Sequence, residues 1–204
     1  MNTINYLKEI YGYSTPIFLK DIRIGGKSKT SIRKELSRAA EKGDIKRDAN
    51  GVYYFDLKGE YPDKLSVNEV ITKRFIKNDY GIPGFDIEIY GYTTGQTFLN
   101  SLGISQQVPA VYEIVTNNTS CKRMFVYKGR RVLLRKGKVT IDRTNYKILQ
   151  FLDAFYYLDI NEVREYHDNL YQYIQSHLTK EQLQSYLALY PYKIHKLLIE
   201  GELV

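Results

Sequence analysis

Residues 28–55 read SKTSIRKELSRAAEKGDIKRDANGVYYF, and the order of elements in this stretch decides the fold. Ser28 or Thr30 is placed to cap a helix, because a short side-chain oxygen accepts from backbone N–H groups that the first turn leaves without partners. Ile32, Leu36, Ala39 and Ala40 recur at helical spacing as an inward stripe, and Gly43 supplies the stop. Lys29, Arg33, Lys34, Ser37 and Arg38 fall off that stripe and face outward. The chain then reads DIKRD, Ala49-Asn50-Gly51, VYYF. Asn-Gly between two β-prone runs signals a hairpin, since the favoured two-residue turn needs positive φ at both positions. A basic helix thus runs into a ribbon with Lys46 and Arg47 on its first arm.

Upstream, Asn2 or Thr3 can cap a helix with Ile4, Leu7 and Ile10 or Tyr11 on one face, ending at Gly12. Pro16 is positioned to open a second helix, IFLKDIR, closed by Gly25 and Gly26. Three short helices followed by a hairpin is the winged-helix plan, in which the third helix enters the major groove of a duplex. The hairpin, or wing, then lies on flanking backbone or in the adjacent minor groove. Ser28, Lys29, Thr30, Arg33, Lys34, Ser37 and Arg38 are the candidate DNA-binding residues of the helix, and Lys46, Arg47 and Asn50 those of the wing. These residue types suit phosphates and guanines. The competing readings are a winged helix used for protein contacts and a surface helix with solvated charges. Gly26-Lys27-Ser28 resembles the end of a nucleotide-binding loop, but Asp21 stands where that loop needs glycine.

Downstream, 57–66 (LKGEYPDKLS) has no periodicity and reads as a linker. Ser66 caps a helix, VNEVITKRFI. Then come YGIPG, the alternating FDIEIYGY, a helix near TTGQTFLNSLG and the strand-like VPAVYEIVTN. KRMFVYKGRRVLLRKGKV reads as two antiparallel strands turning at Lys128-Gly129, with a further turn near Gly137. From Asn145 the chain is helical. The expected class is α+β. An N-terminal winged helix-turn-helix domain (1–57) and a linker (58–66) precede a mixed α/β C-terminal domain (67–204). That domain has a basic strand region (122–147) and a helical tail (145–204).

The net charge of +7 is uneven. Residues 1–60 hold 12 basic and 8 acidic side chains, and residues 122–147 hold 10 and 1, while 61–121 and 148–204 are net acidic. Two separate basic blocks suggest a polyanion touching more than one surface. On strands Arg131, Leu133 and Arg135 alternate with Val132, Leu134 and Lys136. With Lys128, Arg130 and Lys138 in the turns, that edge is strongly positive. It suits a second DNA contact, RNA or an acidic protein, or serves only to block sheet-to-sheet aggregation.

Catalytic chemistry finds little support. His167, His177 and His195 lack metal-ligand spacing. The single cysteine, Cys121, excludes an internal disulfide and a multi-cysteine zinc site, and reads as a chance thiol. There is no paired carboxylate motif for phosphoryl transfer. No apolar run is long enough to span a bilayer, and MNTINYLKEIYGY lacks the apolar core of a signal peptide, so a cytoplasmic, non-enzymatic protein without cofactor is expected. Nine of the twenty tyrosines lie between Tyr146 and Tyr192. They read as helix packing with hydroxyls reaching water.

Three stretches together carry a resemblance: the one from Ser31 to Phe55, GYTTGQTFLNSLGISQQVPAVYEIVTN, and KRMFVYKGRRVLLRK. Their order resembles the AbiEi family of bacterial antitoxins. Gly95 to Gly103 and Gln107-Val108-Pro109 carry the match in the second domain. The resemblance implies the antitoxin half of an abortive-infection pair in phage defence. The winged helix would repress the operon's own promoter at inverted repeats, with two protomers per operator. The C-terminal domain would oppose a nucleotidyltransferase-like toxin without a stable complex, the type IV arrangement. By position, Lys29, Thr30, Arg33, Lys34 and Ser37 would read the groove and Lys46, Arg47 and Asn50 would be wing contacts. Arg130, Arg131, Arg135 and Lys138 would extend the footprint. A protein-interaction module acting by direct contact and an RNA-binding protein remain the alternatives.

Overall fold

The structure, a computed structural model, describes residues 2–57, 64–79 and 86–204. It is α+β with two small sheets. Contacts divide the chain into two compact units, Met1–Arg74 with Asn78–Ile87, and Phe75–Lys77 with Glu88–Val204. Of the expected linker 58–66, residues 58–63 lie outside the described residues, as does all of YGIPG.

In the first unit, α1 (Thr3–Tyr11) starts where Asn2 Oδ1 accepts from Ile4 N at 2.9 Å, and Leu7 faces the core. The longer α2 (Lys29–Lys42) is capped by Ser28, whose Oγ accepts from Ser31 N at 3.1 Å. Ile32, Leu36 and Ala39 are its buried stripe, and Gly43 closes it in the left-handed conformation that a side chain would strain.

The expected helix IFLKDIR does not form. Ile17–Phe18 is a strand, β1, antiparallel to β3 (Val52–Tyr54), and residues 19–21 make a turn in which Asp21 N donates to Phe18 O. Seven residues are too few to hold a helix on their own propensity. The open edge of β3 offers backbone partners, and both side chains of β1 become buried. The sheet order is β1-β3-β2, with β2 at Lys46–Ala49. The Asn50-Gly51 hairpin forms, but with a register shift between Arg47 and Ala49, and only Gly51 takes positive φ (72°). The turn is therefore of the bulged kind with one left-handed glycine, not the double left-handed one expected.

Lys27, just before α2, ties the unit together. Its Nζ lies 2.7 and 2.8 Å from the Glu35 carboxylate oxygens and 2.7 Å from Thr3 Oγ1. The Lys27 hydrogen bond holds the Glu35 carboxyl below its ordinary value. A depressed folded value means stability present above the unfolded pKa and lost as pH falls through the folded one. Urea midpoints between about pH 3 and pH 7 should therefore drop on the acid side, and Lys27→Met should flatten that drop. An unchanged slope would remove this pair from the acid response.

In the second unit the strands are β4 (Gly91–Thr94), β5 (Val111–Thr116), β6 (Arg123–Tyr127) and β7 (Arg130–Arg135), in the order β4-β5-β7-β6. β5 and β7 are parallel, and the outer pairs are antiparallel. The alternating FDIEIYGY becomes strand later than expected, since Ile89 makes only a bridge to Lys77 and β4 begins at Gly91. Lys128 and Gly129, at φ 45° and 82°, make the double left-handed turn between β6 and β7.

A helix, α3 (Val67–Phe75), precedes this sheet in the chain and belongs to the first unit up to Arg74, and α4 (Gln96–Ser101) follows β4. Five helices complete the chain: α5 (Tyr146–Ala154), α6 (Ile160–Glu165), α7 (His167–His177), α8 (Lys180–Leu187) and α9 (Tyr192–Glu200). Their core is Ile148, Phe151, Leu152, Phe155, Leu170, Ile194 and Leu198, all fully buried. Capping boxes at Asp159–Glu162 and Thr179–Gln182 start α6 and α8, each satisfying two terminal N–H groups reciprocally.

Candidate nucleic-acid interface

Lys29, Thr30 and Arg33 project from the first turns of α2, all exposed. Across from them stands the β2–β3 turn with Asn50 and Gly51. Between them lies a groove of about 430 Å³, walled further by Phe18, Leu19, Lys20 and Arg74. Among the described residues, every charged side chain lining it is a cation. The backbone of Leu19 donates to Gly51 O at 2.9 Å, so the β1 turn and the hairpin tip are one piece. Such a concavity suits an anion or the edge of a polyanion.

Of the sequence-derived candidates, the groove gathers Lys29, Thr30, Arg33 and Asn50. Lys34 and Arg38 are exposed farther round α2, and Ser37 donates to Glu41 at 3.5 Å. The Ser28 hydroxyl is engaged in capping. Arg47 donates to Asn50 Oδ1 at 3.3 Å, which props the hairpin tip. Lys46 lines a different groove, among Lys8, Tyr13, Asp44 and Asp56. Sequence reasoning missed Lys20 and Arg74. Lys20 sat inside a segment read as helix, and nothing in the order of residues links Arg74 to the hairpin tip.

The basic block of the second unit does not gather in this way. Arg135 is drawn inward, donating to Tyr157 Oη at 2.9 Å with Glu113 Oε2 at 3.7 Å, and Tyr157 in turn donates to Glu113 Oε2 at 2.6 Å. Lys138 lies over the rings of Tyr156 and Tyr190, and Arg130 over Tyr112. Strand alternation puts Arg130 and Arg131 on opposite faces. Lys128 and Lys136 are exposed.

The tyrosine hydroxyls of the tail bond protein acceptors more than was expected. Tyr190 of the tail and Tyr92 of β4 both donate to the buried Asp153, at 2.9 and 3.0 Å. Burial pushes the Asp153 carboxyl above the ordinary range, against the lowering effect of both hydroxyls, Arg135 and Lys138.

Among the described residues, no group of three or more His, Cys, Asp or Glu is arranged to hold a metal. His177 Nδ1 lies 2.9 Å from Lys147 Nζ, and His195 Nε2 lies 2.8 Å from Leu187 O. No described helix is long and apolar enough to cross a membrane. No family model, no curated protein and no solved structure matches the chain.

Proposed function

We propose that the first unit is a winged helix that binds duplex DNA, with α2 as its groove helix and the β2–β3 hairpin as its wing. The observation that carries this reading is the groove between them, whose charged lining is Lys20, Lys29, Arg33 and Arg74. A basic helix and a β-ribbon set around one concavity match the way such units straddle a phosphate backbone. With the resemblance drawn from the sequence, the reading extends to a cytoplasmic antitoxin of the AbiEi kind. It represses its own promoter at inverted repeats, two protomers to an operator, and opposes a nucleotidyltransferase-like toxin without catalysis and without a stable complex. The inward placement of Arg135 shifts the expected footprint toward the first unit and leaves Lys128, Arg130, Arg131, Lys136 and Lys138 as secondary contacts.

The test is fluorescence anisotropy with the duplex immediately upstream of the gene and a scrambled duplex, across a salt series. The native duplex should be preferred by roughly a thousandfold. Arg33→Ala should weaken binding about tenfold or more and blur base preference, whereas Arg131→Ala should act equally on both duplexes. Equal, weak binding of both duplexes by the intact protein would end the operator reading.

A further inference from the structure

The second unit presents a sheet edge whose backbone and apolar groups the proposed DNA contacts do not use. In the order β4-β5-β7-β6, β6 is an outer strand, with no strand on its far side among the described residues. The two-residue turn at Lys128-Gly129 determines which groups face that edge. Tyr127 and Arg130 flank it as a hydrogen-bonded pair, and such pairs alternate along an antiparallel ladder. Phe125 stands opposite Val132 and Arg123 opposite Leu134, so Tyr127, Phe125 and Arg123 bond inward to β7. The N–H and C=O groups of Met124 and Val126 therefore point to the open edge.

The side chains of these two residues share a face with their β7 partners Leu133 and Arg131. The same face is covered farther along, where Tyr92 of β4 reaches Asp153 of α5 and Tyr157 reaches Glu113 of β5. At β6 it is open, with Met124 51% and Val126 66% exposed. Phe125 turns the other way and packs on Phe75, with ring centroids 5.7 Å apart. The strand pair that forms the open patch, residues 122–134, contains five Lys and Arg and no Asp or Glu. Lys122, Arg123, Lys128 and Arg131 are exposed.

We infer that the β6 edge takes an extended acidic segment of a partner protein, added to the sheet as a further strand. Its backbone pairs with Met124 and Val126, its aliphatic side chains cover those two and Leu133, and its carboxylates meet Lys122, Arg123, Lys128 and Arg131. A second copy of this chain is the poorer occupant, because two β6 edges would set the same cations against each other. A nucleic acid is poorer too. Phosphate oxygens only accept hydrogen bonds, so they leave the outward carbonyls of Met124 and Val126 unanswered, and they gain nothing from exposed methyl groups. The inference stands independently of the DNA reading of the first unit.

Two fluorescein-labelled probes, an alternating Glu-Val heptapeptide and its Lys-Val counterpart, are titrated into the full chain. The acidic probe should bind at least about tenfold tighter than the basic one, and its affinity should fall as salt rises. Val126→Pro removes one outward N–H and should weaken the acidic probe about tenfold, with duplex binding unchanged. Should the proline disturb the hairpin, Met124→Lys combined with Val126→Lys serves instead. In the wild type, the amide resonances of Met124 and Val126 should move when the acidic probe is added. Equal binding of both probes, or still amides at these two positions, would overturn the inference. So would displacement of the acidic probe by a duplex that shifts the same amides, which would give the face to nucleic acid.

Discussion

Gly91→Ala is expected to destabilise the second unit by about 3 kcal/mol, at the upper end of what overpacking costs. A Cβ built on Gly91 would sit 2.1 Å from the carbonyl oxygen of Phe75 and 2.8 Å from that of Val115. Both are backbone atoms and cannot rotate away as the tip of a side chain would. Retreat is blocked on two sides. Val115 belongs to β5, whose pairing with β4 sets Gly91 opposite Thr116, and the chain after Phe75 is pinned by Tyr90 N donating to Ile76 O at 2.8 Å. The φ of Gly91 is not in the left-handed region, so the cost is a matter of space alone. The chain has no tryptophan, which makes far-UV circular dichroism the suitable probe. For a chain of this size the melting temperature should fall by roughly 6–12 °C. A fall of less than about 2 °C would mean that β4 has room to move.

Asp153 supplies the second large effect. Tyr190 has one hydroxyl proton and two acceptors within reach, Asp153 Oδ1 at 2.9 Å and Leu149 O at 3.2 Å. For Tyr92 the acceptor is Asp153 Oδ2 at 3.0 Å. Asp153→Ala leaves Tyr92 buried without an acceptor and opens a small void, for an expected loss of about 3 kcal/mol. Asp153→Asn keeps the shape and can accept from Tyr92 while donating to Tyr190, so it should stay within about 1 kcal/mol of the wild type near neutral pH. The pH dependence follows from the raised carboxyl. When a folded value lies above the unfolded one, near 3.9, the folded state holds its proton more tightly. That stabilisation is complete below the unfolded value and is lost as pH rises through the folded one. Urea midpoints of the wild type should decline across that window relative to Asp153→Asn. Parallel curves for the two proteins would remove Asp153 from the titration.

Local chemistry made much of this fold legible. Asn2 and Ser28 start their helices and Gly43 ends one, as their side chains or lack of one dictate, and two of the five tail helices, α6 and α8, start at capping boxes. The stripe of Ile32, Leu36 and Ala39 was readable because a 3.6-residue period survives folding. What was not readable depended on partners distant in the chain. Ile17 and Phe18 became a strand because β3 offered an edge some 35 residues later, a fact no local propensity contains. Arg135 looked like one more exposed cation of a basic edge until Tyr157 and Glu113 drew it in. The groove was half visible, since Lys29, Arg33 and Asn50 came from the helix and turn patterns, while Lys20 and Arg74 arrived through tertiary packing.

The two residues of β1 have an effect larger than their number. By pairing with β3 they stitch the approach to α2 onto the hairpin, and Leu19 N fastens the hairpin tip through Gly51 O. The jaws on either side of the groove are thus locked like calipers at one width before any ligand arrives. Little ordering is left to be done on binding, which favours fast association over slow adaptation. Under the proposed reading, α2 enters a B-form major groove about 12 Å wide with the hairpin already set beside it, whereas the narrow, deep groove of A-form RNA leaves that helix no room.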